Sequence, residues 1–248
     1  MKLFVFGCSN SARYHTETLE YRQYRDFRKG EFPPTWSELL SNKLKCELRN
    51  HAIPGSGNDS VRMEFVKNVR DINENDIVII GWTFIERYMW VNRITNEWDH
   101  YQHMHTDKMD ITINTHQEII FHRAHNPSNY LNVKHIYEWM DMINYIAMKV
   151  NFKIYYWECD GRILTPYYMY IGNNPIILNE NRLRFSDKLL VREEDLQGTI
   201  FDYVRINNGK KIIEETNGLV NDHHWGQSGH EVLAESFFNR ITKDIKLI

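Results

Sequence analysis

Short apolar runs alternate with amphipathic stretches along the first third of the chain. Residues 2–7 (KLFVFG) form an apolar, aromatic run closed by a glycine, the pattern of a strand buried on both faces. Thr35-Trp36-Ser37-Glu38 then fits a capping box, with Thr35 as N-cap and Glu38 three residues on. Leu39, Leu40, Leu44 and Leu48 recur behind it at helical spacing, and Pro34 stops that helix running backwards. His51-Ala52-Ile53 predicts a short second strand, ending in the turn Pro54-Gly55-Ser56-Gly57. Asn58 or Asp59 is placed to cap the next helix, which carries Val61, Phe65, Val66 and Val69 on one face. Residues 76–81 (DIVIIG) read as the clearest buried strand. Three strands alternating with two helices in about 80 residues predict an α/β fold on a parallel sheet, with helices on both faces.

The rest of the chain is less regular. Residues 11–34 are polar, aromatic and arginine-rich, and predict a long loop with a helical turn. Residues 82–128 carry many Trp, Tyr, His and Asn residues with little periodicity, and predict an insertion with at most short helices. Helical spacing returns over 130–149, a fourth strand is predicted at 152–157, and short strands near 175–178 and 199–206. Gly226 to Lys243 reads as a last amphipathic helix with Val232, Leu233, Phe237 and Ile241 inward.

A length of 248 residues fits one large domain better than two. A formal net charge of −3 leaves no global basic field to hold nucleic acid or an anionic membrane. No apolar stretch approaches the length of a transmembrane helix. The run before Cys8 is too short for a signal-peptide core, so a cytoplasmic or other intracellular setting is expected. Three cysteines make neither a disulfide framework nor a zinc site. His100, His103, His105, His122 and His125 cluster in sequence, but no Cys or paired-carboxylate pattern joins them, and neither metal nor cofactor is expected.

Three segments carry residues suited to chemistry. Ser9, in Gly7-Cys8-Ser9-Asn10-Ser11, follows the first strand, and so lies on the ligand-binding edge of an open α/β sheet. Serine needs a base within hydrogen-bond reach. Asp222-His223-His224-Trp225, just before the last helix, offers His224 as that base and Asp222 to orient its ring. The turn Pro54–Asp59 brings glycine N–H groups and an asparagine side chain that can donate to a developing oxyanion. Taken singly, each segment also reads as an ordinary turn or helix cap. Arg13, Arg22, Arg25 and Arg28, interleaved with Tyr14, Tyr21 and Tyr24, suit either a solvated helical face or an anionic or sugar ligand. Trp82, Trp90 and Trp98 suit either a core or a carbohydrate pocket.

Jointly, the three segments resemble the SGNH (GDSL-like) hydrolases. Gly7-Cys8-Ser9 stands where that family has Gly-Asp-Ser, and residues 50–55 (NHAIPG) look like its second block. Asp222-His223-His224-Trp225, with Gly229 five residues after His224, is similar to its final block. Two departures stand out: Cys8 replaces the aspartate before the nucleophile, and Thr83 occupies the asparagine position of the Gly-x-Asn block, in Gly81-Trp82-Thr83. The resemblance implies a three-layer α/β/α, flavodoxin-like fold around a central parallel sheet. It implies Ser9, Asp222 and His224 as the catalytic triad, with Gly55 and either Asn58 or Thr83 at the oxyanion hole.

The expected activity is hydrolysis of a small ester or an O-acetylated glycan, or O-acyl transfer by the same site. The alternatives are an SGNH-fold binding or structural protein without turnover, and a phosphate- or nucleotide-binding α/β domain. The last lacks a Walker lysine and a Gly-x-Gly-x-x-G run. The absence of Gly-x-Ser-x-Gly argues against the α/β-hydrolase elbow.

Overall fold

The computed structural model describes residues 1–85, 87–92, 97–102, 129–159, 161–164, 168–171, 174–177, 180–190 and 200–246. The elements follow in the order β1 (Lys2–Phe6), α1 (Leu19–Phe27), α2 (Trp36–Leu44), β2 (Glu47–Asn50), α3 (Asn58–Asn68), β3 (Ile77–Trp82), β4 (Arg87–Asn92) and β5 (Glu97–Gln102). They continue with α4 (Asn129–Val150), β6 (Lys153–Glu158), β7 (Tyr168–Ile171), β8 (Asn174–Ile177), α5 (Ile200–Ile206), α6 (Ile212–Glu215) and α7 (Gln227–Lys246). Four strands form the central sheet in the order β2-β1-β3-β6, all parallel. The fold is therefore mixed α/β, as the alternation of runs predicts, and its layering is compatible with three-layer α/β/α.

The period-two pattern of the strands sorts their side chains into two cores. Phe4, Phe6, Val78, Ile80, Ile154 and Tyr156 face α3 and α4, packing on Val61, Phe65, Val133, Ile136, Met140 and Ile143. Leu3, Val5, Ile77, Ile79, Tyr155 and Trp157 face α2, α5 and α7, packing on Trp36, Leu40, Val204, Leu233, Phe237 and Ile241. Inner strands β1, from Leu3 on, and β3 are buried, which is why their sequences are nearly continuous apolar runs.

The second strand lies at Glu47–Asn50 rather than at 51–53. As an edge strand it alternates exposed and half-buried positions, so ELRN carries no apolar run to mark it. Lys45, at φ 55°, turns the chain out of α2 and puts Leu48 on the strand rather than on the helix. The backbone beyond still tracks β1: His51 N–H donates to Val5 O (2.8 Å) and Ile53 N–H to Gly7 O (3.0 Å).

The capping box of α2 is present, with the Glu38 carboxylate accepting from the Thr35 backbone N–H at 2.9 Å. The N-cap of α3 is Gly57, one residue before the two candidates. Residues 19–27 form a full helix, α1, rather than a single turn within a loop. Its Tyr21 and Tyr24 are buried against Ile212 and Val220, while Arg22 is exposed and Arg25 half-buried.

Residues 87–102 contain an antiparallel pair, β4 with β5, where short helices were expected. Most of the expected insertion, including the side chains of Trp90, Trp98 and His100 and the residues His103, His105, His122 and His125, lies outside the described residues or side chains. Trp82 itself is core. Residues 200–206 are helical rather than a strand, with Ile200 and Val204 buried one turn apart. The strand expected near 175–178 is β8, paired with β7.

Gly81 tests this packing. It pairs with Trp157 across β3 and β6, and a Cβ there would lie 2.6 Å from the Trp157 Nε1 atom. Gly81→Ala is expected to cost about 1–3 kcal/mol by forcing the buried indole to shift. Urea denaturation should show a lower midpoint with an unchanged slope.

Candidate active site

Because the four strands run the same way, their carboxyl ends share one edge of the sheet. Residues 7–11 follow β1, 51–57 follow β2, Thr83 follows β3 and Cys159 follows β6. The sheet thus gathers segments that lie far apart in sequence.

The turn after β1 is held at nearly every carbonyl. Gly7 O accepts from Ile53 N–H and from Ser56 Oγ (3.1 Å). Cys8 O accepts from the N–H groups of Ser11 and Ala12. The indole N–H of Trp36 donates to Asn10 O at 2.9 Å, and the Asn50 amide donates to Ser11 O at 2.8 Å. A Cβ at Gly7 would meet Ser11 Oγ at 2.8 Å, so glycine gives the turn room to close. Ser9 sits at the centre of this frame, half-buried, and its N–H has no acceptor among the described residues.

The loop carrying Asp222 and His224 is strapped to residues 210–213. Ile213 N–H donates to Asp222 O and Ile212 N–H to His224 O, both at 2.9 Å, and Gly226 N–H donates to Lys210 O. Glu215 then fixes the start of α7, accepting from Ser228 N–H (2.8 Å) and from the Tyr24 hydroxyl (2.7 Å). The strap is made of main-chain contacts, which leave no side-chain signal in the sequence.

The two halves meet at His224. Its Nε2 lies 2.8 Å from Ser9 Oγ, and its Nδ1 lies 2.6 Å from Asp222 Oδ1. The same carboxylate oxygen accepts from the His224 backbone N–H at 2.7 Å. Burial of Asp222 would raise its pKa, but the hydrogen bonds and charge of His224 outweigh it and hold the carboxyl below the usual range. A carboxylate so held keeps the proton on Nδ1 and leaves Nε2 to accept from Ser9. The edge of the His224 ring packs on Tyr21, with centroids 5.8 Å apart. His223 is exposed.

Gly55 sits at φ 76°, a left-handed conformation that suits glycine, and its N–H is also without an acceptor among the described residues. Asn58 is buried and bound to the Thr83 backbone in both directions. Its Nδ2 donates to Thr83 O (3.1 Å), and its Oδ1 accepts from Thr83 N–H (2.8 Å). That pair ties the start of α3 to the end of β3 and leaves Asn58 one amide hydrogen. The Thr83 hydroxyl is fully buried and accepts from Arg87 Nη1 at 3.0 Å.

His230 is part of the scaffold. Its Nδ1 accepts from the Trp36 N–H at the start of α2 (3.1 Å), and its Nε2 donates to the Tyr14 hydroxyl (3.0 Å), which donates to Trp225 O. Burial, with the nearby charge of His224, pushes its pKa down to about 3. The sequence pattern also passed over a buried group beside Ser9, formed by Cys8, Asn10 and Cys159. Its only sequence signal is a cysteine just past the end of each of two strands.

No protein-family model matches this chain, and no curated protein is similar to it.

Asn58→Ala should lower stability by about 1–3 kcal/mol, because it strands a buried N–H and C=O of Thr83. Urea denaturation checks this. His230 gives stability a pH dependence. The unfolded chain takes up the proton near about pH 6.5, whereas the folded chain resists it, so stability falls as pH drops below that value, by up to about 1.4 kcal/mol per unit. The native protein should therefore lose more thermal stability between about pH 7 and about pH 5 than His230→Asn, whose side chain does not titrate.

Proposed function

We propose that the chain is a serine esterase of the SGNH type, built on a flavodoxin-like α/β/α fold and acting by acyl transfer through Ser9. The observation that carries this reading is the continuous relay from Asp222 Oδ1 through the His224 ring to Ser9 Oγ, with contacts of 2.6 and 2.8 Å. Main-chain bonds fix both ends of that relay, which favours a preorganised site over two neighbouring helix caps.

In this reading His224 Nε2 takes the proton as Ser9 Oγ attacks the ester carbonyl carbon. The carbonyl oxygen becomes an oxyanion, received by the N–H groups of Ser9 and Gly55. Asn58, with its one remaining amide hydrogen, or Thr83 adds a side-chain donor. The intermediate collapses, and His224 returns the proton to the leaving alcohol. Water, activated by the same imidazole, then attacks the acyl-serine and releases the acid. A sugar hydroxyl in place of water makes the same chemistry an O-acyl transfer. A small O-acetylated glycan is the substrate suggested by the family likeness.

Purified protein should hydrolyse nitrophenyl acetate and be labelled at Ser9 by a fluorophosphonate. Ser9→Ala and His224→Ala should each lower kcat by about 10³-fold or more, without adding in the double variant, because nucleophile and base act as a unit. Asp222→Asn should cost about 10²–10⁴-fold, through the wrong ring tautomer. Hydrolysis that survives Ser9→Ala would move the nucleophile elsewhere. Absence of both hydrolysis and labelling would favour a binding protein that keeps the fold without turnover.

A further inference from the structure

Acyl transfer through Ser9 leaves two buried sulfur nucleophiles beside it unused. Cys8 is bonded to Ser9 in the turn after β1, and Cys159 follows β6. Their Sγ atoms are 3.7 Å apart, both are free thiols, and they are 1% and 2% exposed. The Asn10 side-chain amide lies between them, with Nδ2 at 3.5 Å from Cys159 Sγ and 4.0 Å from Cys8 Sγ. Its Oδ1 is buried without a partner. The third cysteine, Cys46, precedes β2 and so lies toward the opposite edge of the sheet.

The two sulfurs are electrostatically unequal. The hydrogen bond from Cys159 holds the Cys8 thiol well below its usual pKa, against burial, with help from the Thr83 hydroxyl and the Arg87 charge. The same hydrogen bond, with burial, pushes Cys159 up. Cys8, next in the chain to the partly exposed Ser9, is the sulfur placed to meet an oxidant first, with Cys159 3.7 Å away to resolve it.

We propose that Cys8 and Cys159 form a redox pair, oxidised by a hydroperoxide to a disulfide that pulls Ser9 out of reach of His224. The second half of this inference rests on Ser9 being the nucleophile. The Cys8 thiolate attacks one peroxide oxygen and breaks the O–O bond. This gives the sulfenic acid and, after protonation, water or an alcohol. Cys159 sulfur then attacks Cys8 sulfur, its proton goes to the departing hydroxide, and water leaves. Two thiols lose two electrons and the peroxide gains them. Ser9, bonded to Cys8, is partly exposed to solvent, and hydrogen peroxide is little larger than water.

Geometry supplies the coupling. A disulfide needs an S–S distance of about 2.05 Å, so the present contact must shorten by about 1.7 Å. Cys159 is pinned by its N–H to Trp82 O at 2.8 Å, and the strap from Ile212 and Ile213 holds the His224 loop. Cys8 and Ser9 share one hydrogen-bonded turn, so any shift of the Cys8 backbone toward Cys159 carries Ser9 with it. Displacement by more than an ångström breaks the 2.8 Å contact to His224 Nε2.

The test uses the full chain with Cys46→Ser, treated with hydrogen peroxide and then alkylated under denaturing conditions. Peptide mapping should find residues 8 and 159 cross-linked and unalkylated, and dithiothreitol should restore both thiols. The His224 imidazole resonances should shift on oxidation, and fluorophosphonate labelling of Ser9 should fall by about tenfold or more, since the nucleophile has lost its base. Cys159→Ser and Cys159→Ala should each form no cross-link and keep their labelling after the same treatment once dithiothreitol has reversed any sulfenic acid. Absence of the 8–159 cross-link overturns the proposal, as does a cross-link that leaves the His224 resonances unmoved. Reduced protein that takes no fluorophosphonate would instead count against Ser9 as nucleophile, while the mapping and the resonances still decide the redox pair.

Discussion

The parallel pairing of β1 between β2 and β3 is the constraint on which the rest depends. With β6 added in the same direction, every strand delivers its following segment to one edge. A chain that is apolar enough to bury both faces of such a sheet has no room there for polar side chains. Polar groups collect where the strands stop, and the buried polar residues Asn10, Ser11, Ser56, Asn58 and Thr83 all lie in those segments. Ser56 and Asn58 spend their side chains on the backbones of Gly7 and Thr83, because a buried C=O or N–H must be satisfied within the protein. At the candidate site the N–H groups of Ser9 and Gly55 are left without an acceptor among the described residues.

How legible the molecule is in its sequence follows from the same physics. Strands β1 and β3 are visible because burial on both faces demands uninterrupted apolar residues. Strand β2 is not, because an edge strand with one wet face has a sequence like a loop, and 51–53 carry its hydrogen bonding onward without counting as strand. Helix α1 is hidden by its inward face, which is made of tyrosines rather than aliphatic residues. Asp222, His224 and Ser9 are legible as residue types with a spacing, so their juxtaposition could be anticipated. The strap at 210–213 and the cap from Glu215 could not, since one is main chain and the other pairs residues with no pattern in common. Asn58 and Thr83, alternatives in the sequence, are partners in the structure: the Asn58 side chain holds both backbone polar groups of Thr83.

The site's electrostatics are built from short contacts rather than from net charge. Asp222 is kept ionised by the ring it orients, despite its burial. A second histidine, the buried His230, is kept neutral a few residues away and serves as an acceptor for a helix start. Two imidazoles on one short segment thus have opposite duties, set by whether a carboxylate or only neutral groups face them.

The contact from His230 to the first turn of α2 joins residues 194 positions apart, and that from His224 to Ser9 joins residues 215 apart. Contacts of such separation form late, because the entropy of closing a long loop precedes any gain from it. The turn after β1 and the start of α2 therefore form before their partners arrive, and Ser9 meets His224 only once the segment leading into α7 has docked.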